Sequence, residues 1–155
     1  MRLDTLLERL EYKVVQGSAE TEVTTLINDS RKVGNGSVFV CISGAVSDGH
    51  KYAAEVAEKG AAALVVEKDV EVPADVTVIK VEDTRYALAL MSAAYFGYPA
   101  EKLKIVGITG TKGKTTTTYM IKSILEETGH KVGLIGTIEA IIGEKKIPAA
   151  NTTPE

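Results

Sequence analysis

The sequence predicts an α/β protein. Short valine-rich apolar runs alternate with segments of helical period, and one apolar run enters a glycine-rich turn that opens a helix. No apolar stretch approaches the roughly 18 residues of a membrane span. Together these features predict parallel-type sheets covered by helices, with an anion site at one strand-to-helix turn.

The first ten residues interleave charges with leucines, which suits an amphipathic helix and not a secretory leader. Val23 to Asn28 and Ser37 to Ile42 read as strands on either side of the turn-rich stretch Asp29 to Gly36. A helix follows from Lys51 to Lys59, with Ala54, Val56 and Ala57 expected inward and Gly60 as its stop. Ala62 to Val66 and Val76 to Val81 are valine-rich strands separated by an acidic loop containing Pro73. Asp83 is placed to cap a helix from Thr84 to Phe96, whose Ala87, Leu88, Met91, Ala94 and Tyr95 form one face.

Gly97 and Pro99 end that helix, and the charged stretch after them suggests a domain boundary, giving domains 1–98 and 99–155. The second would begin with strand Lys104 to Thr109, helix Lys114 to Thr128 closed by Gly129, and strand Lys131 to Gly136, a βαβ unit. A hairpin is expected around Gly143 and Glu144, then the polar tail Asn151 to Glu155. One βαβ unit does not cover a parallel sheet, so the second domain is expected to be incomplete, with an apolar strand edge exposed.

A net charge of −3 and a pI near 5.5, with no long run of like charge, disfavour nucleic-acid and anionic-membrane surfaces and make any anion site local. These features suggest a cytoplasmic protein. Cys41 is the single cysteine, which excludes an intrachain disulfide; its apolar run marks it as a structural thiol. His50 and His130 follow glycines and read as solvated loop residues or cap partners, since no spacing suggests zinc.

The chemistry concentrates between Lys104 and Thr118. Gly107, Gly110 and Gly113 permit positive φ and close approach to an anion, and the free N–H groups at the start of the next helix point at it. Lys114 adds a cation suited to β- and γ-phosphates, and the Thr115 hydroxyl suits Mg²⁺. The general phosphate-loop pattern is not matched strictly, because its first glycine falls at Ile108. What remains is Gly110-Thr-Lys-Gly-Lys-Thr-Thr116 between a strand and a helix, so Gly110, Thr111, Lys112, Gly113, Lys114, Thr115 and Thr116 are the candidate ATP-phosphate ligands.

With Asp29-Ser-Arg31, Gly36-Ser-Val-Phe-Val40, Gly44, Asp48-Gly-His50, Gly136-Thr137 and Asn151-Thr-Thr-Pro-Glu155, this loop resembles the Mur ligases, ATP-dependent amide ligases of peptidoglycan precursor synthesis. Lys112 stands where that family usually has asparagine; at a non-glycine position its side chain can point outward. The resemblance implies a small UDP-binding α/β domain followed by the start of a parallel-sheet ATPase domain. It implies ATP and Mg²⁺, with Lys114 as the catalytic cation and Thr115 on the metal. The substrates would be a UDP-muramoyl dipeptide, held by Ser30, Ala45, Val46 and Ser47 and by Asn151, Thr152 and Thr153, and a diamino acid. On this reading the full-length enzyme is a monomer, and the 155-residue chain is inactive without the remaining metal, adenine and amino-acid sites. The tail favours the branch that adds the third stem-peptide residue over the pentapeptide-forming branch. A non-catalytic UDP-ligand module is the alternative from another class.

Overall fold

The computed structural model describes residues 1–44 and 47–149. The chain divides into two compact units, one from Met1 to Leu103 and one from Lys104 onward.

In the first unit, helix α1 (Leu3–Leu7) is shorter than the leucine pattern suggested, and β1 (Lys13–Gln16) follows it. Next come β2 (Leu26–Ile27), β3 (Val38–Val40), α2 (Ala53–Glu58), β4 (Ala63–Val66), β5 (Thr77–Lys80) and α3 (Thr84–Tyr95). The sheet order is β1-β5-β4-β3-β2; β2 to β5 run parallel, and β1 joins the β5 edge antiparallel. β1 was not anticipated. Its residues are mostly exposed, so no alternation of apolar and polar positions marks it in the sequence.

The period-two geometry of the strands sorts their side chains into two cores. Val38, Val40, Ala63, Val65 and Ile79 pack with Leu3, Leu6 and Leu7 of α1 and Ala87 and Met91 of α3. Phe39, Cys41, Leu64, Val66 and Val78 point the other way, onto Ala53 and Val56 of α2. The result is a sheet between helical layers, as expected for parallel strands buried on both faces. Within α2, Ala53 and Val56 are buried and Ala57 half-buried, while Ala54, expected inward, faces solvent. A 3₁₀ turn over Gly49–Tyr52 precedes α2 and moves its inward stripe to Ala53.

Asp83 caps α3 as expected, its carboxylate accepting from the backbone N–H groups of Arg85 and Tyr86. The first unit extends past the anticipated boundary at 98/99. Tyr98 adopts a left-handed conformation, and Pro99–Lys102 forms a 3₁₀ turn tied back to the α1 region. The Tyr98 hydroxyl donates to Glu8, Arg9 lies over the Tyr98 ring at 3.7 Å, and Arg9 pairs with Glu101 at 2.6 Å.

The second unit contains α4 (Lys114–Glu127), β6 (Gly133–Ile135), β7 (Glu139–Ile142) and β8 (Lys145–Pro148). The expected hairpin around Gly143 and Glu144 is present as the β7–β8 turn. The expected βαβ unit is not. β6 pairs antiparallel with β7, and Lys104 to Thr109 forms no strand because none of the described residues pairs with it. A strand is defined by its partner, and this segment leaves Ile105 72% and Val106 62% exposed.

Candidate functional site

Two sets of residues carry the candidate chemistry, one in each unit.

In the second unit, residues 107 to 113 form an exposed turn whose last residue opens α4. Gly110 and Gly113 have φ of 152° and 79°, conformations that favour glycine, whereas Gly107 does not take positive φ, contrary to expectation. A Cβ at Gly113 would meet nothing within 4 Å, so backbone conformation and not space calls for glycine there. No side chain caps α4. Among the described residues, the backbone N–H groups of Gly110 to Thr115 donate to no other protein group. Lys114 folds back over the turn, its ammonium donating to the Gly110 carbonyl at 2.5 Å.

Thr115 is half-buried in the first turn of α4, and its carbonyl accepts from the Thr118 hydroxyl at 2.7 Å. Thr111, Lys112 and Thr116 are exposed, Lys112 in keeping with an outward-pointing side chain. Free amides, the positive end of a 14-residue helix and a lysine folded over the turn make a donor surface of the kind that binds anions. Thr115 carries a hydroxyl, the kind of oxygen ligand that Mg²⁺ takes.

In the first unit, the candidate residues lie where the parallel strands end. Ser30 follows β2, the loop containing Ser47 follows β3, Glu67 follows β4, and Thr84 opens α3 after β5. In open α/β sheets this carboxyl edge is where ligands bind. Ser30 is half-buried in the 3₁₀ turn Ser30–Lys32, and its carbonyl accepts from the Lys59 ammonium at 3.0 Å. Asp29 accepts from the Arg31 side chain and backbone N–H, which together lower its carboxyl pKa to about 2. Arg31 is thereby an ion-pair partner of Asp29. Ser47 is exposed, 3.4 Å from the Tyr52 hydroxyl. Ala45, Val46, Asn151, Thr152 and Thr153 lie outside the described residues.

A polar network that the sequence reading missed joins His50, Asp48, Glu67 and Lys68. His50, read as a solvated loop residue or a cap partner, is the partner of the capping Asp48 and has only 7% of its side chain exposed, because the 3₁₀ turn directs the ring inward. Its Nδ1 lies 2.6 Å from Asp48 Oδ1, and its Nε2 accepts from the Glu67 N–H at 2.9 Å. The Lys68 ammonium reaches Asp48 Oδ2 at 2.6 Å. The Asp48 carboxyl is held well below its ordinary range by Lys68 and then by the His50 side chain and N–H. Glu67 accepts from the Ser43 hydroxyl at 3.0 Å and from the Thr84 N–H and hydroxyl at 2.8 and 2.6 Å. Burial works to raise the Glu67 pKa, but these donors outweigh it and lower it. The signal available in the sequence was Asp48-Gly-His50 itself, an Asx-type turn with an imidazole attached.

Cys41 is fully buried, and burial together with the Asp48 charge pushes its pKa up to about 12, which leaves an inert structural thiol. Among the described residues there is no cluster of three or more His, Cys, Asp or Glu able to hold a metal, and no helix long and apolar enough to cross a membrane.

Comparison with known proteins places both units in one lineage. Residues 22–96 match the model described as Mur ligase family, catalytic domain, and residues 108–155 match the Mur ligase middle domain. The whole chain aligns at 52% identity with a UDP-N-acetylmuramoyl-L-alanyl-D-glutamate--2,6-diaminopimelate ligase of Clostridium perfringens, covering 32% of that protein. It aligns at 45% with the ligase of the same name from Geobacillus kaustophilus, covering 31%. The chain thus spans about a third of the length of the curated relatives it matches. Among solved structures, MurF from Acinetobacter baumannii superposes with a TM-score of 0.60 at 30% identity, over 81% of this chain and 27% of that one. A 2,6-diaminopimelate ligase structure superposes over 97% of this chain and 30% of its own, with a TM-score of 0.72; at 22% identity it supports the fold alone. Two models of one lineage covering most of the chain, with relatives aligned along all of it, establish that the chain belongs to the Mur ligase family.

Proposed function

We propose that this chain supplies the UDP-substrate end and the ATP-phosphate end of an ATP-dependent ligase that adds 2,6-diaminopimelate to UDP-N-acetylmuramoyl-L-alanyl-D-glutamate in the cytoplasm, during peptidoglycan precursor synthesis. The observation that carries the reading is the turn from Gly110 to Thr116, with its free amides and the Lys114 ammonium folded over it, in a chain similar along its whole length to ligases of that name.

Gly110 to Thr116 hold the β- and γ-phosphates of ATP, and Lys114 opposes the charge that builds as the γ-phosphoryl moves to the substrate carboxylate. An incoming amine of diaminopimelate then displaces phosphate from the acyl phosphate. Mg²⁺, held in part by Thr115, supplies charge neutralisation at the phosphates when bound. The UDP end rests at the carboxyl edge of the first sheet, on Ser30 and on Ala45, Val46 and Ser47. Asn151, Thr152 and Thr153 serve the same substrate nearer the reacting carboxylate.

Two measurements test the proposal. The 155-residue chain should bind the UDP-muramoyl dipeptide in calorimetry, with the affinity lowered by Ser30→Ala. In the full-length ligase, Lys114→Ala should lower kcat by about 10²- to 10³-fold, the usual effect of removing one preorganised donor from a developing charge. An unchanged kcat in that variant removes the phosphate-loop assignment. Binding of the UDP ligand with no ligation by the full-length protein would instead favour a non-catalytic UDP-ligand module.

A further inference from the structure

The loop between β3 and α2 is closed at its base. Ser43 and Asp48 form an isolated antiparallel bridge, and the Gly44 N–H donates to the Ser47 carbonyl at 3.0 Å. The returning strand packs on the end of β3 so tightly that a Cβ on Gly49 would lie 2.8 Å from the Ile42 nitrogen and 3.1 Å from Cys41 Cα. The Gly49 N–H donates to the Ile42 carbonyl at 2.8 Å. One side-chain network then holds both stems. On the outgoing stem the Ser43 hydroxyl donates to Glu67, and on the return stem Asp48 is held by the ring of His50.

The state of that ring follows from its partners. Nε2 accepts from the Glu67 N–H at 2.9 Å, so it carries no proton, and the single ring proton sits on Nδ1 and donates to Asp48. His50 is therefore a neutral imidazole bridging the loop to the end of β4. Glu67 continues the bridge, since the carboxylate that takes the Ser43 hydroxyl also takes the N–H and hydroxyl of Thr84 at the start of α3. Two stems of one loop are thus fixed to two other elements of the sheet edge through one imidazole and one carboxylate.

We propose that His50 and Glu67 are positioning residues that hold the two stems, Ser43–Gly44 and Ser47–Asp48, in the geometry needed to receive the UDP-linked substrate, an inference that rests on the substrate edge proposed above. Neither touches the substrate. They act through the loop stems, as buried, fully bonded polar networks do when they specify one conformation.

The test uses the 155-residue chain, with amide hydrogen exchange and calorimetry against the UDP-muramoyl dipeptide. His50→Ala should speed exchange of the Gly44, Gly49 and Glu67 amides about tenfold or more, leave the Thr117 amide of α4 unchanged, and weaken ligand affinity about tenfold, the scale of losing a hydrogen bond to a charged group. Glu67→Gln, whose amide oxygen still accepts from Thr84, should retain most of the affinity that Glu67→Ala loses. If His50→Ala does not fold, Ser43→Ala removes a single hydroxyl and should still speed Gly44 exchange and weaken binding. Unchanged Gly44 and Gly49 exchange in the folded variants overturns the proposal, as does faster exchange with unaltered affinity. A wild-type chain that binds no UDP ligand instead overturns the substrate-edge reading on which the inference rests, and the exchange data still report whether the network holds the loop.

Discussion

The two units treat their apolar residues in opposite ways. In the first, β3 and β4 are buried on both faces, with Val38, Val40, Ala63, Leu64 and Val65 fully sequestered between helical layers. In the second, only Leu134 and Ile141 are buried apolar residues among those described, while Ile105, Val106, Met120, Ile124, Ile135 and Ile142 are each at least 60% exposed. The first unit is a closed core with a polar edge. The second is an exposed glycine turn on a partly covered scaffold, an arrangement that invites partner strands or self-association. The closed core of the first unit and the exposed turn of the second are therefore separately placed, and substitutions should separate them.

The sharpest way to break the comparison is to cut one large side chain from each unit. Phe39→Ala empties the space beside Val56 and Leu64 and should cost the first unit about 3–5 kcal/mol in denaturant unfolding. Ile105→Ser removes an exposed side chain and should change stability by less than about 0.5 kcal/mol while reducing self-association in sedimentation. Equal losses from the two would show that Ile105 is covered in solution.

The starts of α3 and α4 sharpen the same contrast. α3 begins under the Asp83 carboxylate, which satisfies two of its free N–H groups, whereas α4 begins at Gly113 with none satisfied by a side chain. Gly113→Ala forces a φ of 79° on a residue with a Cβ and should cost about 1–2 kcal/mol locally, with loss of ATP-phosphate binding as its main readout. Asp83→Ala should cost about 1 kcal/mol of first-unit stability and leave ATP binding intact. A loss of ATP affinity in the Asp83 variant would contradict the division of labour.

What the sequence made legible follows the same line. The α3 boundaries and the Asp83 cap were readable because an apolar stripe and a capping residue are local signals. The glycine turn before α4 was readable for the same reason, Gly110, Gly113 and Lys114 lying within a few residues of one another. Contacts between distant parts of the chain were not. Glu67 meets Ser43, His50 and Thr84 across separations of 17 residues or more, and no local pattern announces that. Lys104 to Thr109 shows the converse error, since its apolar run was correctly seen but strand formation depends on a neighbour that the run itself does not encode.

Acid should give the smallest effect, and it acts on the first unit. Asp48 and Glu67 both have carboxyl pKa values lowered in the folded state, the first chiefly by Lys68 and His50 and the second by the donors from Thr84 and Ser43 working against burial. For a depressed carboxylate the stabilising contribution is fully present above the unfolded pKa, about 4, and is lost as pH falls through the folded value. The groups facing this network are His50, Lys68 and the Cys41 thiol. Lowering pH below about 4 should therefore reduce the protection of the Glu67 and Gly49 amides, relative to their intrinsic exchange at each pH, before any global unfolding, while the protection of the α4 amides and of the Leu64 and Val65 amides of β4 stays as it was. Simultaneous loosening of all of these would mean that the network is no more acid-sensitive than the core beside it.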